Sequence, residues 1–253
     1  MGILEKQSDR IFTTAAAKFS PRVGFVNRIS EIGETFLKEF EFPHWQSNAQ
    51  YLLFRDPAAK RLVLLDHTKV EIQIFGFEPW TKRIREYSDM LTHILNGYSL
   101  KEDLQFTISC QCYLDVEMTF AEITDLFFGA FTRFPESTHD IWGSPKDGAL
   151  HVIGQLEGLD VDVNLSPMNS KQVEETLQRV PNLRAFAESN LFDRYMSQRM
   201  ESLIADCLYV GATVTKKAVK AFEIRQSMEE TTRLLDKVAT NVIAQLKNLP
   251  TVK

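Results

Sequence analysis

Hydrophobic and polar positions alternate most strictly where Phe106, Ile108, Cys110, Cys112, Leu114, Val116 and Met118 are separated by Thr107, Ser109, Gln111, Tyr113, Asp115 and Glu117. A period of two predicts a strand with one wet face in an antiparallel sheet. Upstream, Tyr51 to Phe54 and Arg61 to Leu65 flank the turn Asp56-Pro57-Ala58-Ala59, and Asp66-His67-Thr68-Lys69 leads into Val70, Ile72 and Ile74. This predicts a three-stranded meander. Ala149 to Leu156 and Leu159 to Leu165, separated by Glu157-Gly158, predict a hairpin. A further strand is expected from Arg22 to Ile29, followed by a helix from Ser30 that buries Ile32, Phe36, Leu37 and Phe40.

A period near 3.6 marks the other elements. Ile3 to Phe19 reads as an N-terminal helix. Pro79 opens a helix with Trp80, Ile84, Tyr87, Leu91, Ile94, Leu95 and Tyr98 on one stripe, closed by Gly97. Thr119-Phe120-Ala121-Glu122 has capping-box spacing and starts a helix with Ile123, Phe127 and Phe131 inward. From Asn169 the chain reads as helix almost to its end, broken at Pro181 and weakened near Gly211. Within it, Phe192, Met196, Met200, Leu203, Cys207, Val210 and Val214 recur every three or four residues. Met228, Thr231, Leu235, Val238, Val242, Gln245 and Leu249 then keep a 3-4 rhythm, the spacing of a seam between two helices.

These patterns predict an α+β fold. A sheet domain over residues 1–168, antiparallel or mixed with about six to eight strands, carries helices on one face. A helical region over residues 169–253 packs on that domain or on a partner, with Met228, Leu235, Val238, Val242 and Leu249 as the expected contact residues. A strand-then-helix unit recurs loosely, without a repeat period of about 20 to 50 residues.

The order of elements is similar to that of a sporadically distributed bacterial family of uncharacterised α+β proteins. The likeness runs over roughly residues 20 to 190. It rests on Arg22-Val23-Gly24-Phe25-Val26, the meander ending at Val70-Glu71-Ile72, the helix opening at Pro79-Trp80, the alternating strand, and Leu159-Asp160-Val161-Asp162-Val163. The resemblance implies an α+β fold and a bacterial origin, and it brings no catalytic residues.

Composition adds limits. With 44% hydrophobic and 25% charged residues, the chain has the balance of a folded protein. Lys6, Asp9, Arg10 and Lys18 interrupt any signal-like apolar run, and the cysteines number three. Together these predict a reducing, cytoplasmic setting. The longest weakly polar stretch, Leu203 to Val214, contains Asp206 and falls short of the ~20 residues a membrane span needs. A net charge of −5 offers no broad field for a polyanion, so nucleic acid is not the expected main partner. The basic cluster Lys216, Lys217, Lys220 and Arg225 reads as a solvated helix face.

Three constellations have chemical potential. Gly143-Ser144 followed by Asp160 and Asp162 resembles the phosphate turn and metal-binding pair of nucleotidyltransferases, which would take Mg²⁺ and need a third carboxylate nearby. His139 stands beside Asp140 in the polar loop from Pro135 to Gly148, the one histidine of five placed as an acid or base would be. The same loop offers Trp142, with Gly143 and Ser144, as a stacking surface for a small ligand. Asp160-x-Asp162-x-Asn164 begins like a calcium loop but has Leu165 where Gly is needed and Lys171 where Glu is needed. Cys110 and Cys112 point to the inner face of one strand and lack two further ligands for zinc. No nucleophile elbow, phosphate loop, dinucleotide fingerprint or zinc-protease motif is present. The balance leans to a non-catalytic interaction protein, with no resident cofactor, working in a bacterial multi-protein system of the defence or mobile-element kind.

Overall fold

The computed structural model describes residues 11–21, 24–56, 58–59, 61–75, 78–116, 118–131, 148–179 and 204–247. In chain order these form β1 (Ile11–Lys18), α1 (Phe25–Glu39), β2 (His44–Ser47), β3 (Tyr51–Asp56), β4 (Arg61–Asp66), β5 (Lys69–Phe75), α2 (Glu78–Lys82) and α3 (Ile84–Gly97). There follow β6 (Leu104–Asp115), α4 (Phe120–Phe131), β7 (Leu150–Leu156), β8 (Leu159–Met168), α5 (Ser170–Arg179), β9 (Cys207–Val219) and α6 (Ile224–Lys247). The strands make one sheet in the order β2-β3-β4-β5-β1-β6-β9-β8-β7, antiparallel throughout.

Local chemistry sets the expected meander. Asp56 Oδ1 accepts the amide of Ala59 at 3.0 Å, and Asp66 Oδ1 accepts those of Thr68 at 2.7 Å and Lys69 at 3.0 Å. Each carboxylate replaces a backbone acceptor at the chain reversal. The capping box also forms: Glu122 Oε2 accepts the Thr119 amide at 2.8 Å, and Thr119 Oγ1 accepts the Glu122 amide at 3.4 Å. One carboxylate caps two helices, since Asp206 accepts the first amide of α4, from Phe120, and the first amide of α5, from Ser170, each at 3.0 Å.

Three elements differ from the sequence reading. Ile11–Lys18 is a strand, because its alanine-rich run pairs on both sides with β5 and β6, and this pairing overrides helix propensity. The strand expected at Arg22 to Ile29 gives way to α1, which starts at Phe25 and buries Ile29, Ile32 and Phe36 at helical spacing. Cys207–Val219, expected as helix, is β9, inserted between β6 and β8. Residues 207–247 therefore belong to the sheet unit, and the expected separation of a sheet domain from a helical region at residue 169 does not describe them.

The sheet has two unlike faces. Ile108, Cys110, Cys112, Val210, Ala212 and Val214 face a large core closed by α1, α3, α4 and α6. Leu53, Leu62, Tyr113, Cys207 and Tyr209 face the other way, where Val173 of α5 joins them in a smaller cluster.

The element order repeats at the level of topology. With β2, α2 and α5 set aside, the series β1-α1-β3-β4-β5-α3 has the same order of types as β6-α4-β7-β8-β9-α6. Within the sheet, β3-β4-β5-β1 is matched by β7-β8-β9-β6 read from the opposite end. The halves meet at the antiparallel β1–β6 pair, where Thr14 faces Ser109 and Ala15 faces Ile108. The order of strands is thus symmetric about the β1–β6 pair, apart from the added β2.

Candidate functional site

The two halves differ at their outer ends. β3 carries a further strand, β2, paired from His44–Arg55 to Ser47–Leu52. Among the described strands, β7 occupies the corresponding outer position and has no neighbour beyond it. His151 to Leu156 are all exposed, including the large apolar side chains Val152 at 50%, Ile153 at 71% and Leu156 at 39%. Such an edge presents free backbone donors and acceptors, which proteins ordinarily protect with Lys, Pro or a bulge. β7 contains neither Lys nor Pro, and its register with β8 runs without interruption from Leu150–Leu165 to Leu156–Leu159.

The hairpin is held from behind. Its two turn residues, Glu157 and Gly158, both have positive φ, 54° and 79°. This is the mirror-image turn that suits the twist of antiparallel strands, and Gly158 adopts it without a side-chain penalty. Glu157 accepts hydrogen bonds from Lys237 Nζ at 2.8 Å and Arg233 at 2.9 Å, tying the turn to α6. The Lys237 hydrogen bond, then its charge and Arg233, hold the Glu157 carboxyl below its usual range.

Two side-chain rows extend from β7. On the core face, Val152, Gly154 and Leu156 stand opposite Val163, Val161 and Leu159 of β8, which pack against the main core. On the other face, His151, Ile153 and Gln155 stand opposite Asn164, Asp162 and Asp160. His151 Nε2 lies 2.8 Å from Asp162 Oδ1, Gln155 Nε2 donates to Asp160 at 2.9 Å, and Lys217 Nζ lies 2.6 Å from Asp160. The Lys217 hydrogen bond, then that of Gln155, keep the Asp160 carboxyl below its usual range. Gly211 makes room on this face, because a Cβ there would come within 2.8 Å of the Tyr209 hydroxyl.

These contacts place the residues singled out from sequence. Asp160 and Asp162 share a strand face as expected, and each is engaged by a partner of its own. Among the described residues no group of three or more His, Cys, Asp or Glu is arranged to hold a metal ion. His139, Trp142, Gly143 and Ser144 lie outside the described residues. Met228 and Leu235 of the expected partner seam are fully buried in the chain's own core, and Val238 and Val242 pack against it. The seam is thus occupied by the sheet and α3, because β9 sits directly beneath α6; Leu249 lies outside the described residues.

Other described groups with chemical potential are buried or paired. Cys110, Cys112 and Cys207 are buried, and burial pushes the Cys110 thiol up to about 12. The basic cluster is paired: Lys216 with Glu230, Lys217 with Asp160, Lys220 with Asp103 and Arg225 with Glu229. Met118, Ile123, Phe127 and Leu246 line a recess that encloses about 10 Å³, room for one water molecule. Among the described residues no helix is long and apolar enough to cross a membrane.

Sequence reasoning located the hairpin and missed the site on it. The signal was the stretch Leu-His-Val-Ile-Gly-Gln-Leu, without Asp, Glu, Lys or Arg in a chain that is 25% charged. Comparison of the chain with protein-family models and with curated proteins found no match.

Proposed function

We propose that this chain is a non-catalytic protein-interaction component that recognises an extended segment of a protein partner by adding it as a strand along β7. The observation that carries the reading is an outermost strand exposed on both faces, with Val152, Ile153 and Leu156 uncovered and no protective Lys, Pro or bulge. The first half of the chain supports it, since β2 is a short antiparallel strand added to the corresponding strand β3.

In strand addition the backbone supplies affinity and alternate side chains supply selectivity. β7 would offer an apolar row of Val152 and Leu156 on one side and a mixed row of His151, Ile153 and Gln155 on the other. The preferred segment is therefore extended, uncharged at its centre, and alternates apolar with small or polar residues.

Selection of displayed peptides about ten residues long tests this, with the protein held at low surface density and Gln155→Pro as the counter-target. Counting from the two-residue turn, the Gln155 amide points to the open edge, so proline there removes an edge donor without breaking the hairpin. Peptides that alternate as described, bind the native protein and fail on the variant are expected. Peptides that bind both equally, or no enrichment at all, overturn the reading.

A further inference from the structure

Resting on that reading, we infer that the segment received by β7 is the β7 strand of a second copy of this chain, so that two sheets join edge to edge about a two-fold axis at Ile153. The register follows from the hairpin. A two-residue turn makes Leu156–Leu159 a hydrogen-bonded pair, and alternation from there directs the N–H and C=O of His151, Ile153 and Gln155 at the open edge. Antiparallel pairing about Ile153 matches all seven positions of the strand. Every outward N–H then meets an outward C=O, with His151 opposite Gln155 and Ile153 opposite its own symmetry mate.

The side chains agree with that register. On the core face Val152 falls opposite Gly154 of the other copy, and a Cβ at Gly154 has nothing within 4 Å in the single chain. A large residue thus meets the space left by a small one, twice, while Leu150 meets Leu156. The two apolar rows become one continuous row along Leu159, Val161, Val163 and Leu165.

Charge favours a second copy as the occupant. A chain of net charge −5 repels itself, yet the contacting strand contains no Asp, Glu, Lys or Arg. The acids behind it are engaged within the chain: His151 Nε2 lies 2.8 Å from Asp162 Oδ1, Asp160 pairs with Lys217, and Glu157 pairs with Arg233 and Lys237. The chain also joins its own halves by the same device, the antiparallel pair of β1 and β6. Homo-oligomers with a two-fold axis are the commonest soluble assemblies, and such an axis needs a self-complementary surface of this kind.

Light scattering across a concentration series tests the inference on the full chain, with Ile153→Lys, Ile153→Glu and their equimolar mixture alongside. Twice the chain mass is expected for the native protein and the single-chain mass for each variant, with unchanged melting of the variants' secondary structure. The mixture is expected to recover the double mass, because residue 153 faces itself across the axis and the opposite charges then pair. A native protein that stays single up to its solubility limit overturns the inference, as do variants that remain double. A mixture of variants that melt like the native protein and yet stays single overturns the axis at Ile153. A single native chain that still selects edge-binding peptides leaves strand addition standing and shows that another protein occupies it.

Discussion

The indole N–H of Trp80 donates to Thr232 Oγ1 at 3.1 Å, joining α2 to α6 across 152 residues of sequence inside the core. Trp80 is fully buried and stacks on Tyr87 at 5.2 Å, while Thr232 stands on the buried stripe of the last helix. A buried donor left without an acceptor costs about 1–3 kcal/mol. Thr232→Val is therefore expected to lower unfolding stability by about that amount in urea, with Thr232→Ser close to the native protein. An unchanged Thr232→Val would show that the hydrogen bond to Trp80 adds no net stability, and equal loss in both variants would mean that the methyl group contributes as much as the hydroxyl.

The double cap at Asp206 predicts a graded series. Removing an N-cap costs about 0.5–2 kcal/mol, and here one side chain serves both α4 and α5. Asp206→Ala is expected to cost about 1–4 kcal/mol on that scale, roughly twice Asp206→Asn, which keeps one side-chain acceptor. Thermal melts of the two variants measure the ratio, and equal losses would mean that the acceptor kept by Asn caps neither helix.

Arg61 is a buried guanidinium with several simultaneous contacts. It donates to Asp56 at 3.1 Å and to the Glu41 carbonyl at 3.1 Å, contacts Glu86, and lies 4.6 Å from the Phe42 ring centroid. A lysine cannot reproduce the planar fork. Arg61→Lys is expected to cost about 1–3 kcal/mol despite keeping the charge, since hydrogen bonds to charged partners are lost. Urea titration checks this, and a loss below a few tenths of that range would show that charge alone is sufficient.

The clamp between Glu157 and α6 depends on pH. The Glu157 carboxyl is held below its usual value of 4.5, first by the Lys237 hydrogen bond. A lowered folded value gives stability that is complete above the unfolded value and lost as pH falls through the folded one. The turn is expected to stay clamped at neutral pH and to loosen in acid below the ordinary carboxylate range. Amide exchange at Gly158 follows it, and Glu157→Gln should abolish the acid step. An unchanged step in that variant would place the titrating group elsewhere.

Cysteine reactivity reports the integrity of the core. Burial pushes the Cys110 thiol up to about 12, and Cys112 and Cys207 are buried as well. Reaction requires thiolate and access. At pH 8 the native protein is expected to leave all three thiols unmodified by an aromatic disulfide reagent and to release three equivalents on unfolding. Rapid labelling of one thiol in the native state would contradict the burial.

Elements whose signal is local were legible in the sequence. The alternation of β6, the aspartate turns around β4 and the Thr119–Glu122 box all depend on residues a few positions apart. β9 was not legible, because Cys207 to Val210 are buried in succession at the sheet centre and the alternation of a half-exposed strand is erased there. Its apolar spacing then continued the helical rhythm before it. β1 misled through its alanines, whose helix preference is outweighed by pairing with two strands distant in sequence. The site escaped for a related reason. That β7 is an edge depends on β8 pairing with β9, where Asp160 meets Thr215, and nothing within the hairpin reports that contact.

The place of β9 between β6 and β8 also orders events during synthesis. As the chain leaves the ribosome, the first six strands can assemble in their final arrangement, because each of their pairings lies within residues already made. The β7–β8 hairpin can form next but has no position on the sheet until Cys207–Val219 emerges to bridge it to β6. A nascent chain therefore carries a tethered, sticky hairpin for the time taken to translate about forty residues, and premature termination in that interval would leave it exposed to other unfinished chains.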